Sequence, residues 1–153
     1  MAKHSTIQAE KREDARRKLI SYRASCQIYH QLLKIVEDAE NRLTTTCAQY
    51  SETVTSTTAK DSLGDQIAML DEQVTRLSEI CANQAHTLDE ILDLINAVVP
   101  IDPISARILS KRYLEPTREP SFTEIALDLD YSEDYVRHKH LEGLDLIAEK
   151  ISA

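Results

Sequence analysis

The sequence predicts an all-α protein: a long antiparallel two-helix coiled-coil hairpin followed by a compact C-terminal domain of short helices. Three observations lead there. Only two glycines and four prolines interrupt 153 residues, of which 29% are charged, a composition that favours long helices over loops or strands. Apolar residues recur at alternating steps of three and four along two extended runs. The last third carries short apolar faces separated by capping residues and prolines.

The first run lies within residues 1–50. From Leu19 it passes through Tyr22, Cys26, Tyr29, Leu33, Val36, Glu40, Leu43, Cys47 and Tyr50. A mean spacing of 3.5 residues held this long is the signature of a coiled-coil seam. Residues 51–65, SETVTSTTAKDSLGD, are rich in Ser and Thr, which form helix weakly, and are expected to be a loop that lets the chain fold back. The second run occupies residues 66–99 and passes through Ile67, Leu70, Val74, Leu77, Cys81, Gln84, Leu88, Ile91, Ile95 and Val98. Glu40 and Gln84 are polar positions that can set register.

Both helices carry apolar residues off the seam: Ile28, Leu32 and Ile35 on the first, Ile80, Leu92 and Leu94 on the second. A lone hairpin leaves these wet, so a further partner is expected, either the C-terminal domain or a second copy forming a four-helix bundle. The second copy is the favoured reading. Leu32, Leu33, Val36, Leu43, Leu70, Val74, Leu77, Leu88, Ile91 and Ile95 are then the residues that carry coiled-coil packing and self-association.

Residues 100–153 form the C-terminal domain. Asp102 caps a helix whose first position is Pro103, and Ile104, Ile108, Leu109 and Leu114 supply its apolar face. The segment EPTREP, 115–120, ends it. Ser121 with Glu124 is a capping-box pattern, followed by Phe122, Ile125, Ala126 and Leu129 on one face. Asp130-Tyr131 makes a tight turn, and Ser132 caps the last helix, with Glu133 and Asp134 near its positive end. Val136, His140, Leu144, Ile147 and Ile151 recur at helical spacing and are expected to face inward. Two short helices joined in this way have the outline of a helix-turn-helix.

ARILSKRYLE and SFTEIALDLDYSEDYVRHKHLEGLDLI resemble region 4 of bacterial sigma factors. More closely, they resemble the C-terminal part of small phage and prophage regulators of the RinA and ArpU type. The matching positions are Arg112-Tyr113-Leu114, Phe122 to Leu129, Tyr131-Ser132, and His140 with Leu144. A two-helix hairpin with a low-complexity loop in the front half is similar to the architecture of those proteins. The resemblance implies binding of double-stranded DNA and control of phage transcription, in particular of late or packaging genes. The chain departs from the pattern in three places. Glu133 and Asp134 follow the capping Ser132, Leu141 and Gly143 stand where Gly and Ala are frequent, and EPTREP is longer than the usual turn.

In such a motif the N-terminal half of the second helix enters the major groove. It would offer Asp134, Tyr135, Arg137, His138 and Lys139. Arg137 suits a guanine edge or a phosphate, Asp134 a cytosine amine, Tyr135 a thymine methyl, and His138 and Lys139 phosphates. Charge is the difficulty, because the chain carries a formal net charge of -8. Residues 1–23 alone are basic, with seven cations against three acids, and Arg12, Arg16 and Arg17 form the candidate phosphate-binding arm. The alternative is a modulator that binds a protein, such as RNA polymerase, a repressor or a nuclease, and reuses the same scaffold.

Enzymatic function has little support in the sequence, and no cofactor is expected. Gly64 and Gly143 make no phosphate-cradling loop. His4, His30, His86, His138 and His140 form no metal-ligand spacing with one another or with the cysteines, and His140 reads as a hydrogen-bonded core residue. Cys26, Cys47 and Cys81 form no CxxC pair and read as reduced thiols packed on the seams. No run has the length or apolarity of a membrane span, and the N-terminal residues lack the apolar core of an export signal. The expected location is therefore intracellular, and the resemblance implies the cytoplasm of a bacterial host cell.

Overall fold

The computed structural model describes the backbone of residues 2–52 and 57–152 and the side chains of 3–48 and 63–152. The described residues are all-helical: α1 (Ala2–Glu52), α2 (Thr57–Val98), α3 (Pro103–Tyr113), α4 (Phe122–Leu129) and α5 (Glu133–Ser152), with no strand among them. The chain divides into two compact units, Met1–Cys26 with Gln84–Ala153, and Gln27–Asn83. They are called unit 1 and unit 2 below.

In unit 1 local chemistry sets the helix ends. The Asp102 carboxylate accepts from the Ser105 amide at 3.2 Å, and Pro103, which has no amide hydrogen to satisfy, opens α3. Ser121 accepts from the Glu124 amide at 3.1 Å and starts α4. At the other end of α4, Asp130 takes the left-handed conformation, φ 60°. A short polar side chain tolerates that region better than most. The chain then turns sharply, and Ser132 caps α5 by accepting from the Tyr135 amide at 3.2 Å.

The core of unit 1 draws on four helices. Ala15 and Leu19 of α1 and Ile91, Ile95 and Val98 of α2 pack with Ala106, Leu109 and Tyr113 of α3 and with Leu144, Ile147 and Ala148 of α5. Ile151, expected to face inward, lies past this cluster near the end of α5 and is exposed. Where α5 meets α3, a Cβ on Gly143 would stand 2.9 Å from Leu109 Cδ1 and 3.3 Å from Ser105 Cβ. Glycine here lets the two helices approach. A second cluster, Ile108, Ile125, Ala126 and Val136, joins α4 to α3 and α5. α1 also closes the end of α3: the buried Arg23 donates to the backbone carbonyls of Glu115, at 3.0 Å, and Arg112. The last carbonyls of a helix have no partner within it, so a guanidinium there meets a need.

Unit 2 is built from α1 and α2 alone. Val36 is its one buried hydrophobic residue among the described side chains. Leu32, Leu33, Ala39 and Leu43 of α1, and Leu63, Gln66, Leu70, Gln73, Leu77 and Ile80 of α2, are half-buried.

Two expectations differ from what is found. The seam drifts: Glu40 and Cys47 are exposed while Ala39 and Thr46 take the inner positions, and Ile67, Val74 and Cys81 are exposed while Gln66, Gln73 and Ile80 turn inward. A straight helix turns ~20° per heptad away from a strict seven-residue repeat, so a run extended step by step leaves the contact line. Residues 51–52 and 57–65, expected to be part of a loop, are helical. α1 reaches Glu52 and α2 begins at Thr57, with residues 53–56 outside the described part. Thr costs only tenths of a kcal/mol in a helix, roughly 0.5–0.7 relative to Ala. Within α1, Thr44, Thr45 and Thr46 each satisfy a hydroxyl on the carbonyl four residues earlier.

Candidate nucleic-acid interface

The candidate interface is the first half of α5, held from behind by the α3–α4–α5 cluster. Val136 and His140 face that interior, so the residues between and beside them point elsewhere. Asp134, Arg137 and His138 are exposed. Tyr135 is half-buried, its ring 5.0 Å from that of Tyr131 at an angle of 56°. This tyrosine pair sits at the turn between α4 and α5.

Each cation of this segment has an acidic neighbour. Arg137 donates to Glu133 Oε1 through Nη2 at 2.6 Å and Nε at 3.2 Å, and its guanidinium lies 4.8 Å from the centre of the Phe122 ring. Glu133 also accepts from the Thr123 hydroxyl at 3.0 Å, which ties α4 to the start of α5. The Arg137 and Thr123 bonds hold the Glu133 carboxyl below its ordinary pKa. His138 lies 2.9 Å from Glu142. Asp134 has no partner among the described residues and stands in the first turn of α5.

Lys139 is placed differently from its neighbours. Its ammonium donates to Asp102 at 3.1 Å and to Glu142 at 3.0 Å, and only 21% of its side chain is exposed. Those bonds to Glu142 and Asp102 raise its pKa. Asp102 is also the cap of α3, and the Ser105 hydroxyl lies 2.8 Å from its carboxylate and 2.9 Å from the Lys139 carbonyl oxygen. Lys139 thus fastens α5 to the start of α3, a structural duty that leaves no signal in the spacing of residues.

The basic arm is also largely engaged. Arg12 makes a two-pronged bond to Asp145 of α5, at 2.6 and 2.9 Å. Arg16 lies 3.8 Å from Glu119, Lys18 pairs with Glu90, and the buried Arg23 donates to the carbonyls of Arg112 in α3 and Glu115 just past it. Arg17 has only the local carboxylates of Glu13, at 3.8 Å, and Asp14, at 3.9 Å. The arm therefore joins α1 to α2 and α5 through ion pairs. Lys3 and Lys11 have no ion-pair partner among the described residues.

Sequence reasoning placed His140 in the core without its partner. His140 Nε2 lies 2.6 Å from the Tyr113 hydroxyl, and the two rings stack with centroids 5.6 Å apart. Burial, reinforced by the positive charges of Arg112 and Arg16, pushes the imidazole down to about 4. Arg112 caps this arrangement, 3.9 Å over the Phe122 ring, paired with Glu119 at 2.9 Å and donating to the Pro120 carbonyl at 2.8 Å. Nothing in the sequence pairs Tyr113, Arg112 or Arg16 with this buried imidazole, because contacts between distant segments leave no periodic trace.

Among the described residues, no group of three or more His, Cys, Asp or Glu side chains could hold a metal ion, and no helix is long and apolar enough to cross a membrane. Cys26 is buried, with the Gln84 amide 2.9 Å from its sulfur, whereas Cys47 and Cys81 are exposed. No protein-family model, curated protein or solved structure matches the chain at a significant level.

Proposed function

We propose that α4, its turn and α5 act as a helix-turn-helix that binds double-stranded DNA, and that the protein is a phage-type transcription regulator of the kind its C-terminal motifs resemble. α1 and α2 act in this reading as an antiparallel coiled-coil hairpin that carries the DNA-reading domain. The observation that carries the reading is the state of Arg137. It lies on the exposed face of the helix that would enter the groove, its side chain is 55% exposed, and a same-helix carboxylate is its only ion-pair partner among the described residues. Exposed pairs four residues apart are weak, so a phosphate or a guanine edge competes with Glu133 on favourable terms. Asp134 and Glu133 oppose the backbone charge and few cations are left for phosphates, so affinity should rest on base contacts more than on counterion release.

The test is binding of the purified chain to fragments of its own gene neighbourhood at low and moderate salt. Shifted fragments sharing one sequence, with affinity reduced about tenfold or more by Arg137→Ala, support the reading. A folded chain that shifts no fragment at low salt overturns it.

One observation favours a second reading, binding to a protein such as RNA polymerase. Leu127 on α4 is 79% exposed, and the cations of the arm are mostly spent on internal acids. Capture of a polymerase subunit that is lost on Leu127→Ser, by a chain that ignores DNA, would establish it.

A further inference from the structure

Unit 2 has a face that neither of its helices covers. A cleft of about 230 Å³ opens between α1 and α2, with Ile35, Asp38 and Arg42 on one side and Gln66, Met69 and Gln73 on the other. Ile35 and Met69 remain 48% and 60% exposed there, and Ile28, one heptad before Ile35 on the same side of α1, is 52% exposed. Apolar surface of this kind, on a helix pair with one buried hydrophobic residue among the described side chains, marks a contact surface.

Its charged groups say what fits. Asp38 and Arg42 bring one charge of each sign, four residues apart, and neither side chain has an ion-pair partner among the described residues. This pair of charges is its own complement. Self-complementarity is what a two-fold contact between identical chains requires.

We propose that this face is the dimer interface, and that its occupant is the same face of a second copy. Asp38 and Arg42 are symmetric about position 40 of α1, so a two-fold axis there pairs Asp38 of each copy with Arg42 of the other, and the contact covers the exposed Ile35 and Met69 beside them. The proposal rests on unit 2 alone and not on the DNA-binding reading.

The experiment is sedimentation velocity of the full chain, without DNA, across micromolar concentrations. The wild type is expected to be a dimer. Asp38→Arg and Arg42→Asp each place like charges opposite one another and should weaken the dimer about tenfold or more. An equimolar mixture of the two variants restores both pairs and should form dimers, as should the double exchange in one chain. Recovery on mixing also excludes misfolding as the cause of the single-variant defect. A monomeric wild type, single variants that dimerise as tightly as wild type, or a mixture that stays monomeric would overturn the proposal.

Discussion

In unit 1, α1 and α2 are closed over by α3 and α5, and eleven buried residues from four helices form one core. In unit 2 the same two helices pack without a third element, and Val36 is the one described hydrophobic residue that is fully buried. Their charges are used differently too. Arg12, Arg16, Lys18 and Arg23 of unit 1 all face acids or carbonyls of other elements. Asp38 and Arg42 of unit 2 have no ion-pair partner among the described residues. A helix pair gains stability chiefly from the apolar face it buries. Unit 1 has a core of its own, whereas unit 2 has surface left to bury.

The comparison breaks most simply on core truncation. Leu109, fully buried between α3 and α5, should cost roughly 2–5 kcal/mol on replacement by Ala. Leu70, half-buried in unit 2, should cost about 1 kcal/mol, because water already reaches part of it and less cavity is left. Urea denaturation of Leu109→Ala and Leu70→Ala measures both. Equal losses would mean that unit 2 is packed as tightly as unit 1 and would remove the contrast.

Legibility in the sequence followed the same divide. The caps at Asp102, Ser121 and Ser132 were readable because each acts on an amide three residues away. The first seam was readable through Leu19, Cys26 and Val36, which are buried. The second seam failed between 66 and 77, where positions 66 and 67, like 73 and 74, both flank the half-buried leucines at 70 and 77. Pattern reading chose Ile67 and Val74, while the helices turn Gln66 and Gln73 inward. In the candidate interface, exposure of Asp134, Arg137 and His138 followed from helical periodicity. The engagement of Lys139 with Asp102 and of Arg12 with Asp145 did not, because ion pairs between distant segments have no spacing to detect.

A second test sharpens what holds unit 1. His140 titrates near 6.5 when unfolded and is pushed down to about 4 by burial and by Arg112 and Arg16. The unfolded chain therefore binds this proton first as pH falls. The stability associated with neutral His140 is complete above pH 6.5 and is lost as pH drops from there through about 4. The loss should reach about 2 kcal/mol by about pH 5. Urea denaturation at neutral pH and near pH 5 reads it, and His140→Gln should flatten the difference. A wild type equally stable at both would mean that water reaches the imidazole, and that the Tyr113–His140 contact lies at an open edge of unit 1.

The smallest expected effect concerns how unit 1 spends its charges. If its cations are held mainly by neighbouring acids, freeing one should raise DNA affinity instead of destabilising the fold. Glu133 is the place to test this, because it holds Arg137 within one helix turn at the exposed start of α5. Glu133→Gln keeps an acceptor for the Thr123 hydroxyl, so the α4–α5 turn remains tied, but removes the charge that competes with phosphate. Affinity for the cognate fragment at low salt should rise about two- to fivefold, within the range expected of a weak exposed pair plus one fewer repulsive charge. The same substitution should leave the dimer unchanged, since Glu133 belongs to unit 1 and the proposed contact to unit 2. Weaker binding by Glu133→Gln with the thermal midpoint intact would reverse the assignment. Glu133 would then orient Arg137 toward a base, and its charge would serve recognition instead of restraining it.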